Sequence, residues 1–326
     1  MAQATEWSEV VNTTTAEYLK GAADTTIRDR VVFAMLNRRK RILYGQSGTE
    51  LRWQVKFAMP DVDTYTGGAI DYQPTDKHRQ LWIDWKGYKV PDLMHEKERL
   101  MNRGSQALID RYARIFPDME QALTDQFGLE FYVNGTSYAD RFAGIETFLA
   151  ATTPSYAADR IATPNGTYGG LSTVLGAVAG TWSSALAATL SPNRTLATDW
   201  PGGQGDPEYC FNSPKLVNWS STGWGTGSTS WIDNCERALR QTTLWTQNGQ
   251  GKSGRTDVYL MDQSLYGDYL NRQSAKQSII VPAKELIELG FEGVQQEGVQ
   301  LTTDWGCPAN TVYGVNFDKV WLHMMY

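Results

Sequence analysis

Two stretches near the carboxyl end of the chain carry the strongest signal for its fold: TDVYLMDQSLYGDYL (residues 256–270) and ELGFEGVQQEGVQLTTDWGCPANTVYGVNFDKVWL (residues 288–322). In the first, TDVYLMD predicts a short buried strand, because apolar residues fill consecutive positions, and SLYGDYLNRQ predicts a helix after it. The second carries a spaced pattern of glycine, aromatic and polar residues. Its members are Gly290, Phe291, Gly298, Val299, Asp304, Pro308, Thr311, Tyr313, Asn316 and Leu322.

The composition limits the class of protein. The chain has 326 residues, of which 41% are hydrophobic, so it can build one large or two medium cores. A net charge of −6 argues against a surface that binds nucleic acid everywhere, while a local basic patch stays compatible with it. Cys210, Cys235 and Cys307 form no Cys-x-x-Cys pair, so we expect no disulfide framework, metal or cofactor. No signal peptide and no run of 18 apolar residues occurs, so no membrane segment is expected.

Residues 53–90 form two aromatic strand runs joined by a turn-rich middle of about 18 residues. The first run places its apolar residues on one face: Trp53, Val55, Phe57 and Met59. The second run extends from Leu81 to Tyr88. A lone two-stranded ribbon is marginal in water, so we expect something outside the ribbon to cover it.

Before the ribbon, Thr26 and Asp29 resemble a capping box and predict a helix that runs to about Leu43. Its apolar stripe comprises Ile27, Val31, Ala34, Met35 and Ile42. The helix ends in a basic run: Arg38, Arg39, Lys40 and Arg41. These cations either suit the negative end of the helix dipole or form a patch that meets a polyanion.

After the ribbon, a helical period runs from about Asp92 to Phe127. Gly104 and Pro117 predict breaks or a kink in it. If the helix stays continuous from Ser105 to Phe127, it spans roughly 34 Å and is the longest rigid element of the chain.

The middle of the chain, from about Ile161 to Ser230, is rich in Gly, Ser, Thr and Ala, and five of the twelve tryptophans fall between Trp182 and Trp231. We expect short strands and long loops there, with an insertion that makes contacts or is mobile. Ser230 to Trp245 predicts an amphipathic helix. Exposed tryptophans in this region would suit a glycan-binding or glycan-cleaving protein, which stays open as an alternative.

The sequence motifs that would indicate a catalytic or ligand-binding site are incomplete. Thr246–Ser253, TQNGQGKS, ends like a Walker A loop, but its predicted neighbours are a helix before and a strand after, the reverse of what phosphate binding needs. His95 lacks the second histidine of a zinc protease, and no Gly-x-Ser-x-Gly elbow is present. We expect structural roles for His78, in the turn region of the ribbon, and for His323, in a terminal strand. No carboxylate pair stands out, so the chain is predicted not to be an enzyme.

The carboxyl-terminal pattern quoted above, with the strand and helix that precede it, resembles the closing segment of tailed-bacteriophage major capsid proteins of the Hong Kong 97-like fold family. The order of the other elements is similar too: an amino-terminal arm, an extended hairpin, a long helix and a mixed domain. YGGLSTVLG around Gly169 resembles that family's entry into the axial domain. The resemblance covers nearly the whole chain in architecture and about a third of it in motifs.

The resemblance implies an α+β fold. It divides the chain into an N-terminal arm and basic helix (1–46), an extended β-hairpin or E-loop (47–92), a peripheral domain with a spine helix (93–140), an axial domain (141–300) and strands returning to the peripheral domain (301–326). A Gly/Ser/Trp-rich insertion falls near 200–229. Two family features are not matched. The scaffold-like propiece of some members is not seen, so a separate scaffold or none is expected, and no asparagine is identified as a cross-linking partner for Lys77, Lys86 or Lys89.

By the same resemblance, we expect a structural protein that forms hexamers and pentamers of an icosahedral phage head around double-stranded DNA. Portal, scaffold and cement proteins are further expected partners, and the expected location is the virion, assembled in the host cytoplasm. A bacterial nanocompartment shell of the encapsulin type is the alternative within this fold. The expected contacts between subunits are Tyr65, Ile70, Tyr72, Trp82 and Trp85, and the expected DNA-facing residues are Arg38, Arg39, Lys40 and Arg41.

Overall fold

A computed structural model describes residues 30–56, 78–91, 105–152, 160, 162–174, 177, 212–275 and 281–325. The helices are α1 (Val31–Arg38), α2 (Ser105–Glu130), α3 (Ile145–Leu149), α4 (Trp231–Gln250), α5 (Gln263–Ala275) and α6 (Lys284–Glu288), with 3₁₀ turns at Thr222–Trp224 and Gly251–Gly254. The first strands are β1 (Ile42–Leu43), β2 (Glu50–Lys56), β3 (His78–Asp84), β4 (Ala151–Thr152), β5 (Thr163–Pro164), β6 (Thr167–Tyr168) and β7 (Leu171–Ser172). The later strands are β8 (Val258–Met261), β9 (Val281–Pro282), β10 (Gly293–Gln296), β11 (Val299–Thr303), β12 (Val312–Val315) and β13 (Leu322–His323).

The chain divides into two compact units. The smaller comprises residues 1–30 and 87–128. Within it, the buried Arg30 guanidinium donates to the side chain and the main-chain carbonyl of Asp125, both at 3.1 Å. The ring of Tyr88 meets Phe127 edge to face, with centroids 4.9 Å apart.

Helix α2 is the long helix that the sequence predicts. It holds 26 residues, or about 39 Å at 1.5 Å per residue. Of the breaks or kink predicted at Gly104 and Pro117, a break at Pro117 does not occur, because the helix continues through it, and Gly104 lies outside the described residues. Proline removes one N–H donor, and a helix of this length keeps its hydrogen bonds in the turns on both sides.

The larger unit, residues 31–86 and 129–326, is built on a five-stranded sheet with the order β12-β8-β11-β10-β9. Strands β8 and β11 are parallel and the other neighbours are antiparallel. The sheet confirms the buried strand predicted in TDVYLMD, because every residue of β8 is buried. The predicted helix after it is also confirmed as α5.

Alternation along β8 separates two cores, one on each face of the sheet. Val258 and Leu260 belong to a cluster that contains α1, while Tyr259 and Met261 belong to a cluster with α4 and α5. The period of two in a strand produces this division. From α1, the first cluster includes Val31, Val32, Met35 and Leu36.

Helix α1 is shorter than the sequence predicts. It ends at Arg38, and the continuation expected to about Leu43 is wrong. Lys40 adopts a left-handed conformation with φ 54°, and the Arg41 N–H bonds to the Leu36 carbonyl at 2.8 Å. This is a Schellman ending. It frees Ile42 to pair, as part of β1, with Leu322 of β13.

The predicted amphipathic helix after Ser230 is confirmed as α4, which buries Cys235 and Leu239. The described part of the insertion, residues 212–229, packs against this helix. The rings of Trp224 and Trp245 lie 6.1 Å apart, and the buried Asn234 amide donates to the Trp219 carbonyl at 3.0 Å. This part of the insertion therefore belongs to the folded body.

Candidate functional site

The ribbon predicted from residues 53–90 is present as an antiparallel pair. Strands β2 and β3 are in register from Glu50 opposite Asp84 to Lys56 opposite His78. Burial alternates along β2, so that Leu51, Trp53 and Val55 share the more buried face. Histidine 78 begins β3 instead of lying in the turn region, where the sequence placed it.

The middle of the ribbon rests on the chain's own β6–β7 hairpin. The Trp82 N–H donates to the Gly169 carbonyl at 3.2 Å. The ring of Trp53 lies 6.3 Å from that of Tyr168, and Leu81 is only 3% exposed. The expectation that something outside the ribbon covers it is therefore met here by another part of the same subunit.

The expected contact residues fall into three groups. The Trp82 side chain is 44% exposed, although its backbone is anchored. Trp85 is half-buried, and its buried indole Nε1 has no hydrogen-bond partner among the described residues. Tyr65, Ile70 and Tyr72 lie outside the described residues.

The basic run after α1 meets acidic side chains from three distant parts of the larger unit. Arg39 Nη1 donates to Asp257 at 2.8 Å, and its Nη2 donates to Glu285 at 3.1 Å. Asp318 lies 3.3 Å from Arg39 and 3.5 Å from Arg41.

The other basic residues differ in their surroundings. Arg38 pairs with Glu285 and Glu288. Arg41 also stacks over the ring of Trp321, 4.2 Å from its centroid, and Lys40 is exposed.

In this cluster, the positive charges of the arginines and the negative charges of the carboxylates offset one another. Burial alone would raise the pKa of Glu285, but hydrogen bonds from Arg39 and Gln300 outweigh it and lower that pKa. Burial raises the pKa of Asp257 despite its bond to Arg39. The three arginines thus hold α1 to the start of β8, to α6 and to the carboxyl-terminal loop. Sequence inspection finds the four cations but not these partners, which are more than 200 residues away.

Two tyrosine–carboxylate pairs lie on the α1 side of the sheet. The buried Tyr132 hydroxyl donates to Asp304 at 2.7 Å, and the Tyr313 hydroxyl donates to Glu146 at 2.8 Å. The two rings are 5.3 Å apart. Burial, together with the nearby carboxylates, raises the pKa of both tyrosines, and burial raises that of Cys307 to about 12. These groups stay protonated at neutral pH, so they serve as structural donors.

The residues of the carboxyl-terminal pattern have structural positions. Gly290 and Gly298 have left-handed φ values of 86° and 82°. Val299 is fully buried in β11. The Asn316 amide donates to the Arg255 carbonyl at 2.7 Å, and its oxygen accepts from the Asp318 N–H at 3.0 Å. The pattern therefore describes turns and buried positions of the sheet.

Of the five tryptophans between Trp182 and Trp231 that suggested a glycan site, Trp224 and Trp231 are buried, as is the nearby Trp245, and Trp219 is half-buried. The Trp231 indole donates to the Leu265 carbonyl at 2.8 Å. Rings buried in this way offer no face to a sugar, so these three tryptophans do not support glycan stacking. Trp182 and Trp200 lie outside the described residues.

The structure adds no catalytic or binding role to the other motifs considered in the sequence analysis. The Walker-like segment comprises the last residues of α4 and most of the 3₁₀ turn Gly251–Gly254, and a strand, β8, follows it, so the strand-before, helix-after order of a phosphate loop is not present there. His323 lies in a terminal strand, as predicted. Among the side chains that the structure describes, no group of three or more His, Cys, Asp or Glu is arranged to hold a metal ion. Within the described part of the chain, no helix has the length and apolarity needed to cross a membrane.

Comparison with known proteins identifies a solved structure of the same fold. The chain is similar to a chain of the Cyanophage A-1(L) capsid asymmetric unit, with a TM-score of 0.51 and 16% sequence identity. The match covers 95% of this chain and 78% of the cyanophage chain. No protein-family model matches the sequence, and no curated protein matches it. The chain therefore has a mixed helix-and-sheet fold that is also found in a phage capsid.

Proposed function

We propose that this protein is a structural, non-enzymatic subunit of a bacteriophage capsid and that it associates with copies of itself. The observation that carries the proposal is the fold. It matches a cyanophage capsid chain along 95% of the present sequence. A match of that extent involves nearly the whole chain and not just one common motif.

The surface of the larger unit supports the proposal. Large hydrophobic side chains are exposed at Tyr44, Trp82, Trp305, Trp321 and Met325. Aromatic residues of this kind are enriched in interfaces between proteins, where they supply much of the binding energy. A shell spreads such contacts over many identical copies, so that each one need not be strong.

The finer assignment follows the sequence resemblance. We propose a Hong Kong 97-like arrangement, in which 47–92 is the E-loop, 93–140 the peripheral domain and 141–300 the axial domain. The subunits then form hexamers and pentamers of an icosahedral head that encloses double-stranded DNA. Portal, scaffold and cement proteins are its further partners, and the protein is assembled in the host cytoplasm and resides in the virion.

For the basic run, we propose a weak and non-specific role in facing DNA. Arg38, Arg39 and Arg41 are paired with carboxylates, so much of their charge is offset within the subunit. Lys40 is exposed and is the member of the run best placed to meet a phosphate. Contacts of this kind carry no sequence information.

The test is to express the protein, purify it and examine it by electron microscopy and sedimentation velocity. Capsomers or closed shells are expected. A protein that stays monomeric over a range of protein concentration, salt and scaffold supply contradicts the proposal. Nuclease-resistant DNA inside particles isolated from phage-producing cells supports a phage head, whereas an enclosed cargo protein without DNA supports the nanocompartment alternative.

A further inference from the structure

The tight turn between β6 and β7 is a part of the larger unit that contacts the ribbon. Its two residues, Gly169 and Gly170, have φ values of +61° and +77°. Positive φ at both central positions is the requirement of a two-residue type I′ hairpin. The turn lies against β3, where the Gly169 carbonyl accepts the Trp82 N–H.

The two glycines leave no room for a side chain. A Cβ atom on Gly169 would lie 2.7 Å from Cδ2 of Leu81, and one on Gly170 would lie 3.0 Å from Cε2 of the Trp82 indole. The Leu81 side chain is buried and cannot easily rotate away. A methyl group on Gly169 must therefore displace the turn or β3, whereas one on Gly170 must displace the turn or the exposed Trp82 indole.

The β6–β7 hairpin also contacts other parts of the larger unit. The Asn212 amide donates to the carbonyls of Leu171 and Ser172, at 3.2 Å each. The ring of Tyr168 packs against Phe148 of α3, with centroids 5.4 Å apart, and against Trp53 of the ribbon, with centroids 6.3 Å apart. Because the turn cannot move freely, it is able to impose a position on the strand that it contacts.

We infer that Gly169 and Gly170 are positioning residues that set the direction in which the ribbon leaves the subunit. The turn contacts the middle of the β2–β3 pair, at Leu81 and Trp82. From Leu81 the strand reaches His78, about 10 Å away at about 3.3 Å per residue. A small change in the angle between β3 and the turn therefore produces a larger displacement at the end of the ribbon near His78.

This inference rests on the proposed function in one respect, namely that the outer part of the ribbon contacts another subunit. Shells form only when each contact is made at a repeated angle. A ribbon with a changed direction therefore lowers assembly even when the subunit itself is folded. That effect distinguishes a positioning role from a purely local role in turn formation.

The test compares Gly170→Ala and Gly169→Ala with Gly227→Ala. Gly227 has the same kind of backbone conformation, φ +72°, but a Cβ there would meet nothing within 4 Å. All three substitutions carry the strain of a left-handed alanine. Only the first two also press on β3, so Gly227→Ala is the matched control for strain.

Two measurements are made on each variant: hydrogen exchange of the peptide spanning residues 79–84 in unassembled subunits, and shell yield by sedimentation. In the Gly169→Ala variant, we expect exchange at the Trp82 amide to be about tenfold faster than in Gly227→Ala, because its bond to Gly169 opens more often. The increase in Gly170→Ala is expected to be smaller, because the exposed Trp82 indole can move away. Shell yield is expected to fall at least severalfold, whereas Gly227→Ala assembles normally.

Equal exchange in the Gly169→Ala and Gly227→Ala variants would overturn the inference, because the turn would then not restrain β3. Faster exchange with an unchanged shell yield would also overturn it, because the ribbon's direction would then be irrelevant to assembly. If the unaltered protein forms no shells, the proposed function fails. The exchange measurement on unassembled subunits still decides whether these glycines hold the ribbon.

Discussion

Arg39, directly after α1, donates to the Asp257 carboxylate across 2.8 Å, although 218 residues separate the two along the chain. The same guanidinium reaches Glu285 at 3.1 Å. It therefore joins the amino-terminal helix of the larger unit to the entry of the central strand β8 and to α6. The Arg39 side chain is 17% exposed, so these bonds are partly shielded from water and are stronger than surface pairs.

Replacing Arg39 by Ala is expected to lower the free energy of unfolding by about 1.5–3 kcal/mol, the usual range for hydrogen bonds to charged groups. The loss has two causes: the bonds disappear, and the carboxylates of Asp257 and Glu285 are left close together. Urea denaturation followed by circular dichroism measures it. Lys40→Ala is the control, because Lys40 is exposed, and its effect should stay within about 0.5 kcal/mol. Equal effects of the two substitutions would contradict this role for Arg39.

The contribution of Glu285 is expected to depend on pH. Its pKa is lowered from the ordinary 4.5, so the folded state favours the ionised form. The stability that this gives is present above about pH 4.5 and is lost as pH falls through the folded-state pKa. Wild type should therefore exceed Glu285→Gln in melting temperature at pH 7, and the difference should shrink by pH 3. A difference that stays constant over this range would show that charge at Glu285 does not matter.

The two tyrosine–carboxylate pairs are expected to differ in strength. Tyr132→Phe removes a hydrogen-bond donor from Asp304, which is only 3% exposed, and should cost about 1.5–3 kcal/mol of unfolding free energy. Tyr313→Phe removes a donor from the more accessible Glu146 and should cost about 0.5–1.5 kcal/mol. Both substitutions conserve the ring, so packing is matched. Chemical denaturation at pH 7 compares them, and the reverse order would refute the assignment.

Trp82→Ala and Trp85→Ala are expected to leave the subunit folded but to impair assembly. The Trp82 side chain is largely outside the core, and large aromatic residues at interface centres commonly contribute about 2 kcal/mol or more. Circular dichroism and sedimentation velocity measure the two properties. Leu244→Ala is a control of comparable exposure on α4. Normal shells from both tryptophan variants would remove the ribbon from the assembly interface.

Several elements follow from local sequence. Strand β8 and helix α5 are predicted correctly because a run of apolar residues and a helical period are both local signals. The antiparallel ribbon and helix α2 are predicted for the same reason. The end of α1 is not, because Lys40 is an unusual residue for a left-handed position and the basic run continues past the helix.

The contacts that define the candidate surfaces depend on tertiary structure. Nothing local indicates that Ile42 pairs with Leu322, that Arg39 meets Asp257, or that the tryptophans near residue 230 are buried instead of displayed. Likewise, only the fold shows that the turn at Gly169 and Gly170 contacts β3.

By itself, the amino-acid sequence determined which segments become strands and helices and which faces are apolar, because periodicity and turn chemistry act over a few residues. The tertiary structure alone decided which charges neutralise one another, which tryptophans stay exposed and what holds the ribbon. Those outcomes depend on segments that are up to 280 residues apart along the chain, as Ile42 and Leu322 are, and that meet only when the sheet has formed.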